Sequence, residues 1–201
     1  KTPGEKKQTW RLWFLVIAAI IPSGMVGVLF DDWMDEHLHN ATVVAAMLIA
    51  YGVAFLLVER RYQGKHLKIQ NVNQMDLPTA LGMGLFQCLS LVPGTSRSGA
   101  TIVGGLLLGL SRACVAEFTF YLAVPVMAGA SLLKVVKFAV SGVSITGTEV
   151  AVLLVGCVVA FVVSLAAIRF LMDYVKKHSF TAFGWYRIAL GALVAAYFLV
   201  K

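Results

Sequence analysis

Long apolar runs constrain this chain more than any other feature of its sequence. They lie at about 12–30, 42–58, 77–92, 99–110, 113–139, 150–172 and 183–200. A helix needs roughly 20 residues to cross the hydrocarbon core of a bilayer, and all the runs except 77–92 and 99–110 meet or approach that length. Because the bilayer core offers no water to the backbone, such runs are expected to be helical. The sequence therefore predicts an all-α polytopic membrane protein with about five transmembrane helices.

The composition of the chain is not that of a soluble protein, because it has few charged residues. Hydrophobic residues make up 59% of the 201 positions and charged residues 13%, whereas a soluble domain has about 45–50% and about 25%. The net charge of +7 lies between the apolar runs and is not interleaved with aromatic residues, so no nucleic-acid partner is expected. Cys88, Cys114 and Cys157 lack the spacing of a metal site, and no metal-ligating residue is predicted in this chain.

Lysine and arginine in the connecting segments predict the orientation of the spans, since short cytoplasmic segments are enriched in both. Residues 1–11 carry four of them and residues 59–68 carry another four, so both segments are predicted to be cytoplasmic. Residues 31–40 carry four acids and no lysine or arginine, which predicts the outer side. Lys176 and Lys177 place the segment before the last run inside again.

These assignments leave residues 77–110 to enter from the cytoplasm and to return there. We therefore predict a re-entrant helix hairpin at about 77–110, with the segment "PGTSRSG" at its tip, pointing toward the outer side. The alternative is one long kinked or tilted span, which would invert the topology of everything that follows. Irregular backbone is tolerated at membrane depth only where it is buried in protein or lines a wet cavity, so the tip is a candidate site.

The residues of the tip suit an anion. Pro93 and Gly94 end the first half of the hairpin, and a new helix is expected to begin near Gly99. A helix N-terminus presents unpaired N–H groups and a partial positive charge, and glycine lets a ligand approach the backbone. Arg97 adds a planar, permanently charged fork that matches two phosphate oxygens. The hydroxyl groups that can cap the helix or bind the anion belong to Thr95, Ser96, Ser98 and Thr101.

Arg97, Ser96, Ser98 and Thr101 are therefore the candidate catalytic residues. The alternative for Arg97 is a structural ion pair, for which Glu117 would be the partner. Gln87 either faces the same cavity or joins two helices, and Glu117 is either a site residue or a boundary charge. The candidate substrate-binding residues are Gly94, Thr95, Gly99, Gln87 and Glu117. Arg187 in the last run is expected to extend toward the cytoplasm, since long basic side chains commonly do so near the ends of spans.

Three stretches carry a resemblance to a known family. Residues 86–105, "FQCLSLVPGTSRSGATIVGG", are followed by "SRACVAEFTFYLAVPVMAGA" at 111–130 and "FTAFGWYRIALGA" at 180–192. Together they closely resemble the undecaprenyl-pyrophosphate phosphatase family, which is also known for bacitracin resistance. The resemblance implies a multi-pass enzyme of the bacterial cytoplasmic (inner) membrane that removes the terminal phosphate of a C55 isoprenyl diphosphate. It also implies a fold of inverted repeats, each with a re-entrant hairpin, and a site reached from the outer side.

The resemblance also assigns residue roles. Arg97 corresponds to the family's phosphate-binding arginine, Ser96 and Thr101 to positions that act with it, and Ser98 and Gly99 complete the block. The family's other motif, a glutamate pair followed by Pro-Val-Ser-Ser and a histidine, does not occur in this sequence. The nucleophile or general base is expected in that motif, so we regard residues 1–201 as one integral membrane domain, the C-terminal part of the family fold.

The expected function is hydrolysis of undecaprenyl diphosphate to undecaprenyl phosphate and phosphate. A divalent cation, Mg²⁺ or Ca²⁺, is expected from the resemblance, and the expected partners are the lipid substrate, membrane lipids and a second copy of the chain in a homodimer. The alternative is a transporter or flippase of a phosphorylated isoprenoid lipid, because broken helices whose N-termini face an anion near the midplane are also found in transporters.

Overall fold

The computed structural model describes residues 3–65, 67–142 and 146–200, and these are almost entirely helical. Residues 1, 2, 66, 143–145 and 201, which include parts of the predicted loops, lie outside the described residues. The helices are α1 (Pro3–Leu38), α2 (Ala41–Tyr62), α3 (Leu77–Cys88), α4 (Arg97–Leu107), α5 (Arg112–Val140), α6 (Gly147–Lys177) and α7 (Thr181–Val200). Short 3₁₀ turns precede and follow α3, at Val72–Gln74 and Leu89–Leu91. The all-α prediction is confirmed.

Four of the described helices are long and apolar enough to cross a membrane, by length and composition. These segments are Gly4–Phe30, Ala41–Tyr62, Arg112–Val140 and Gly147–Val175. They coincide with four of the predicted spans, and the chain is a multi-pass membrane protein. The fifth predicted span, 183–200, lies in α7 and is not among the four. This helix carries a charged residue, Arg187, in its second turn.

Helices α2 and α7 pack with their backbones in contact because glycines line their interface. A Cβ atom on Gly52 would lie 2.6 Å from Ile188 Cγ1 and 2.8 Å from the carbonyl oxygen of Gly184. A Cβ atom on Gly191 would lie 3.0 Å from the carbonyl oxygen of Ala45. Small residues allow this close approach of membrane helices. The contact fixes the position of α7 along α2.

A buried carboxylate joins three helix ends. Glu59, near the end of α2, is only 4% exposed. Both of its oxygens lie 3.0 Å from Arg112 Nε at the start of α5, and the Phe180 N–H before α7 donates to Oε1 at 2.9 Å. The charge of Arg112 and this amide together satisfy the carboxylate, which a buried charge requires. The cluster lies at the end of α2 that is predicted to be cytoplasmic.

Helices α3 and α4 form a hairpin whose two ends meet. The Ile69 N–H donates to the Gly109 carbonyl at 3.1 Å, and the Ser111 N–H donates to the Ile69 carbonyl at 2.8 Å. A Cβ atom on Gly104 of α4 would lie within 2.5 Å of Phe86 Cβ in α3, so the two helices touch. The chain therefore leaves the hairpin beside the point where it entered, which a single kinked span would not allow.

Candidate functional site

The tip of the hairpin, residues 93–99, lies against the first turn of α2. A Cβ atom on Gly94 would lie 2.5 Å from the carbonyl oxygen of Val44, the fourth residue of α2. Gly94 also has a φ of +89°, a value that favours glycine. Both facts require glycine at this position. They place the tip at the end of α2 opposite to Glu59.

Ser96 begins α4 in an unusual backbone conformation. Its φ of +66° and ψ of 127° make it the non-glycine residue with positive φ in the described part of the chain. Such a conformation costs about 1–3 kcal/mol and persists only where the surroundings impose it, which is common at functional sites. The Ser96 hydroxyl accepts the Gly99 N–H at 3.4 Å and lies 3.3 Å from the Ser98 hydroxyl. Ser96 is thus the N-cap, as one of the predicted capping residues.

Three backbone amides at the tip are unpaired. Within the described residues, the N–H groups of Ser96, Arg97 and Ser98 donate no hydrogen bond, whereas the next two, Gly99 and Ala100, bond to Ser96. Amides of the first helical turn have no partner in the helix itself and favour an anion. Together with the exposed hydroxyl groups of Ser96 and Ser98, they form a set of neutral donors suited to phosphate oxygens.

Arg97 is half-buried beside these amides. In the described part of the chain its side chain forms no ion pair and no hydrogen bond. The alternative of a structural pair with Glu117 is therefore not formed, and the arginine that does pair with a glutamate is Arg112. A half-buried guanidinium with no carboxylate partner leaves its charge available to a ligand.

The expectation that Arg187 extends toward the cytoplasm is wrong, because its side chain reaches the tip. Its side chain is 9% exposed, and Nη2 donates to the carbonyl oxygens of Gly94 at 2.6 Å and Thr95 at 2.7 Å. Its Cζ lies 5.8 Å from the ring centroid of Tyr51, the eleventh of 22 residues in α2. The guanidinium thus lies between the ring of Tyr51 and the tip. The signal in the sequence was a permanent charge placed between Gly184 and Gly191, on the face that packs against α2.

A cavity of about 250 Å³ opens beside the tip. Its polar end is formed by Ser96, Ser98, Gly99 and Arg187. Its apolar wall includes Phe55, Ile102, Phe120, Leu171, Phe183 and Tyr186. A second cavity between α6 and α7 shares Leu171, Phe183 and Tyr186 with the first, so the apolar space continues away from the tip. Arg97 is not among the residues that line either space.

Two of the predicted hydroxyl groups are buried rather than exposed. Thr101 is fully buried, donates within α4 to the carbonyl oxygens of Arg97 and Ser98 at 3.1 Å, and accepts a hydrogen bond from Thr119 of α5 at 3.0 Å. Thr95 is also fully buried, and its hydroxyl has no hydrogen-bond partner in the described residues. Thr101 thus joins α4 to α5 directly behind the tip.

Gln87 and Glu117 lie apart from the tip cavity. Gln87 is 3% exposed, and its Nε2 donates to the Ser23 hydroxyl of α1 at 2.7 Å, which is the helix-joining alternative. Glu117 is half-buried and lines a different cavity, between α5 and α6, with Tyr121 and Met172 among its neighbours. Direct contact of either residue with substrate stays a prediction.

The donors at the tip are hydroxyls, amides and guanidinium groups, which suit an anion and not a divalent cation. In residues 3–65, 67–142 and 146–200, no group of three His, Cys, Asp or Glu residues is placed to hold a metal ion. The residues present therefore do not fit the expected Mg²⁺ or Ca²⁺ as a protein-bound ion.

Comparison with known proteins gives consistent matches along the chain. The sequence profile of the bacitracin resistance protein BacA matches residues 1–193. An undecaprenyl-diphosphatase of Streptococcus mutans is 55% identical over the whole chain, which spans 72% of that relative. One from Lactococcus lactis subsp. lactis is 52% identical over the whole chain and 71% of its own length, and one from Lactiplantibacillus plantarum is 54% identical over 98% of the chain and 72% of its own length. The chain belongs to the family of the bacitracin resistance protein BacA.

Proposed function

We propose that this chain hydrolyses undecaprenyl diphosphate to undecaprenyl phosphate and inorganic phosphate, which recycles the carrier lipid for cell-wall synthesis. Its relatives are named for this activity. The structural observation that carries the proposal is the hairpin tip, where three unpaired amides and an unpaired arginine meet two exposed hydroxyls beside an apolar cavity.

In the reaction, water forms a bond to the terminal phosphorus while the bond from that phosphorus to the bridging oxygen breaks. The electron pair of the broken bond leaves with undecaprenyl phosphate, and the proton of the water must pass to a base. The amides of Ser96, Arg97 and Ser98 hold the oxygens of the terminal phosphate, and Arg97 neutralises the charge that grows on them. Donors fixed before the reaction stabilise such charge most effectively. The tip thus supplies charge stabilisation, and its hydroxyls and guanidinium are not general bases at neutral pH.

The remaining candidate residues support this set. Gly94 and Gly99 allow the backbone to approach the diphosphate, and Thr101 holds the tip by its bond to Thr119. The apolar wall of the cavity accommodates the first isoprene units. The rest of the lipid chain continues between α6 and α7, past Leu171 and Phe183. A lipid-linked substrate needs both environments, a polar one for the head and an apolar one for the chain, and here they are adjacent.

The proposal includes the bacterial cytoplasmic membrane, with the hairpin re-entrant and its tip accessible from the outer side. Gly94 packs on Val44 just after the acid-rich segment 31–40, while Glu59 is the first residue of the basic segment 59–68. The inverted-repeat fold, the homodimer and the use of Mg²⁺ or Ca²⁺ stay predictions. Light scattering in detergent checks the homodimer. Phosphate release measured with and without a chelator checks the use of a divalent cation.

The test is Arg97→Ala, with Arg169→Ala as the matched control. Arg169 is an exposed arginine of α6 that is distant in sequence from the tip and lines neither cavity. Phosphate release from undecaprenyl diphosphate in detergent should fall by about 100-fold or more in Arg97→Ala, because one donor to developing charge is worth about that factor. The control should match the wild type. Wild-type turnover by Arg97→Ala would contradict the proposed site.

The transporter alternative gives a different result in liposomes. A transporter would move the labelled lipid diphosphate across the bilayer without releasing phosphate. Release of phosphate with a rate proportional to the amount of protein supports the enzyme, and translocation without release would overturn it.

A further inference from the structure

Arg187 of α7 hydrogen-bonds to carbonyl oxygens of the tip. Within the described residues, no other side chain from a distant helix does so. One nitrogen, Nη2, is shared between the successive carbonyls of Gly94 and Thr95, more than 90 residues away in sequence. The other terminal nitrogen, Nη1, lies close to Gly99, since a Cβ atom added at Gly99 would be 3.3 Å from it. The guanidinium therefore spans the tip from Gly94 to the first turn of α4.

This contact sets the direction of the tip amides. In a trans peptide group the carbonyl and the following N–H point in opposite directions. Because the Thr95 carbonyl points toward Arg187, the Ser96 N–H points away from it and remains unpaired. The Thr95 N–H, on the preceding peptide group, is directed to the Val92 carbonyl at 3.2 Å. The positive φ of Ser96 follows directly after the two peptide groups that Arg187 holds.

The charge of Arg187 is not neutralised by the described residues around it. Its partners are two carbonyls and the ring of Tyr51, and its Nε has no hydrogen-bond partner in the described part of the chain. A side chain that is 91% buried, with only neutral partners, is unfavourable in an apolar setting. An anion at the tip would offset this charge, since Arg187 lines the same cavity as Ser96 and Ser98.

We infer that Arg187 is a positioning residue for the phosphate-binding tip, which holds the Gly94 and Thr95 carbonyls so that the free amides face the diphosphate. It also brings a positive charge to the cavity that Ser96 and Ser98 line. This inference rests on the proposed function. It explains why a permanently charged residue of α7 is buried beside Tyr51 of α2.

Kinetics of Arg187→Met and Arg187→Lys, with Arg169→Met as the control, test the inference. Arg187→Met should lower kcat by about 100-fold, as expected for a displaced donor set. Arg187→Lys should recover part of the loss, because an ammonium group donates to a carbonyl but lacks the planar fork. Thermal unfolding in detergent measures the folded fraction. If Arg187 had only a structural role, Arg187→Met would reduce the amount of folded protein but leave kcat per folded molecule at the wild-type value. That result would overturn the inference.

Binding of inorganic diphosphate separates this inference from the proposed function. Diphosphate should raise the unfolding temperature of the wild type and of Arg169→Met, and not that of Arg187→Met. If the wild type binds diphosphate but does not hydrolyse the lipid, the proposed function fails while the role of Arg187 is still decided by this shift. Equal shifts in Arg187→Met and the wild type would refute the role of Arg187, and no shift in the wild type would refute the anion site itself.

Discussion

Replacing Gly94 by alanine should displace the tip without removing any of its donors. The added Cβ atom would lie 2.5 Å from the Val44 carbonyl oxygen and 2.8 Å from Val44 Cα. Both are backbone atoms of α2, so no flexible side chain can move aside. An ordinary contact begins at 3.4 Å, so the tip and α2 must separate by about 0.9 Å, the difference between 3.4 and 2.5 Å. The φ of +89° adds about 1–2 kcal/mol of backbone strain for a residue with a Cβ atom.

The expected effect on catalysis follows from this displacement. A misplacement of about 1 Å at a site of positioned donors costs about 100-fold in rate, which corresponds to about 2.7 kcal/mol of transition-state free energy. Phosphate release from undecaprenyl diphosphate in detergent would measure kcat, and thermal unfolding would measure the loss of stability.

Gly109 provides a closely matched control. It has the same φ of +89°, but no atom lies within 4 Å of the position of an added Cβ. Gly109→Ala therefore carries the backbone strain without the collision and should keep kcat within about threefold of the wild type. Equal kcat values for Gly94→Ala and Gly109→Ala would show that the contact with Val44 does not fix the catalytic geometry.

Two further predictions concern stability. Glu59→Gln should lower the free energy of unfolding by about 2–4 kcal/mol, because it leaves Arg112 without its carboxylate partner. This loss is at the lower end of the range for buried ion pairs, since the Arg112 side chain is one third exposed. Glu36→Gln, at an exposed glutamate, is the control and should change the free energy of unfolding by less than about 0.5 kcal/mol. Equal losses of stability in the two variants would contradict the role of Glu59. Hydrogen bonds from the side chain and the N–H of Thr79 hold the pKa of the Asp76 carboxyl below its ordinary value. The stabilisation by this N-cap is therefore complete above the unfolded pKa of about 3.9 and is lost as the pH falls through the lower folded pKa. Asp76→Asn caps the helix without titrating there, so wild-type stability should decline relative to that variant below pH ~4, and parallel stability curves would contradict this.

Much of the fold could be predicted because its determinants are local. Apolar runs give the spans, and α5 and α6 begin where Ser111 and Thr146 cap them within a few residues. The hairpin followed from the lengths of two short runs and from the charges of the segments around them. The last predicted span, 183–200, lies within α7 (Thr181–Val200).

The candidate site was predicted in part for the same reason. Ser96 caps α4 through Gly99, three residues away, so the residue types at that spacing were sufficient. Thr101 was expected to face the phosphate, but its hydroxyl bonds to Thr119 behind the tip. The sequence cannot show which side of a short helix faces a neighbouring helix, because α4 is apolar or small on nearly every side.

The sequence by itself determined that this protein is a bundle of membrane helices with a polar, cationic hairpin tip suited to phosphate. Those properties arise from hydrophobicity, helix capping and fixed charge, which act within a few residues. Only the tertiary structure decided that Arg187 holds the tip, that Gln87 bonds to Ser23, and that Glu59 joins Arg112 to Phe180. These contacts bring together residues 53 to 121 positions apart, and they depend on how glycine-lined helices pack.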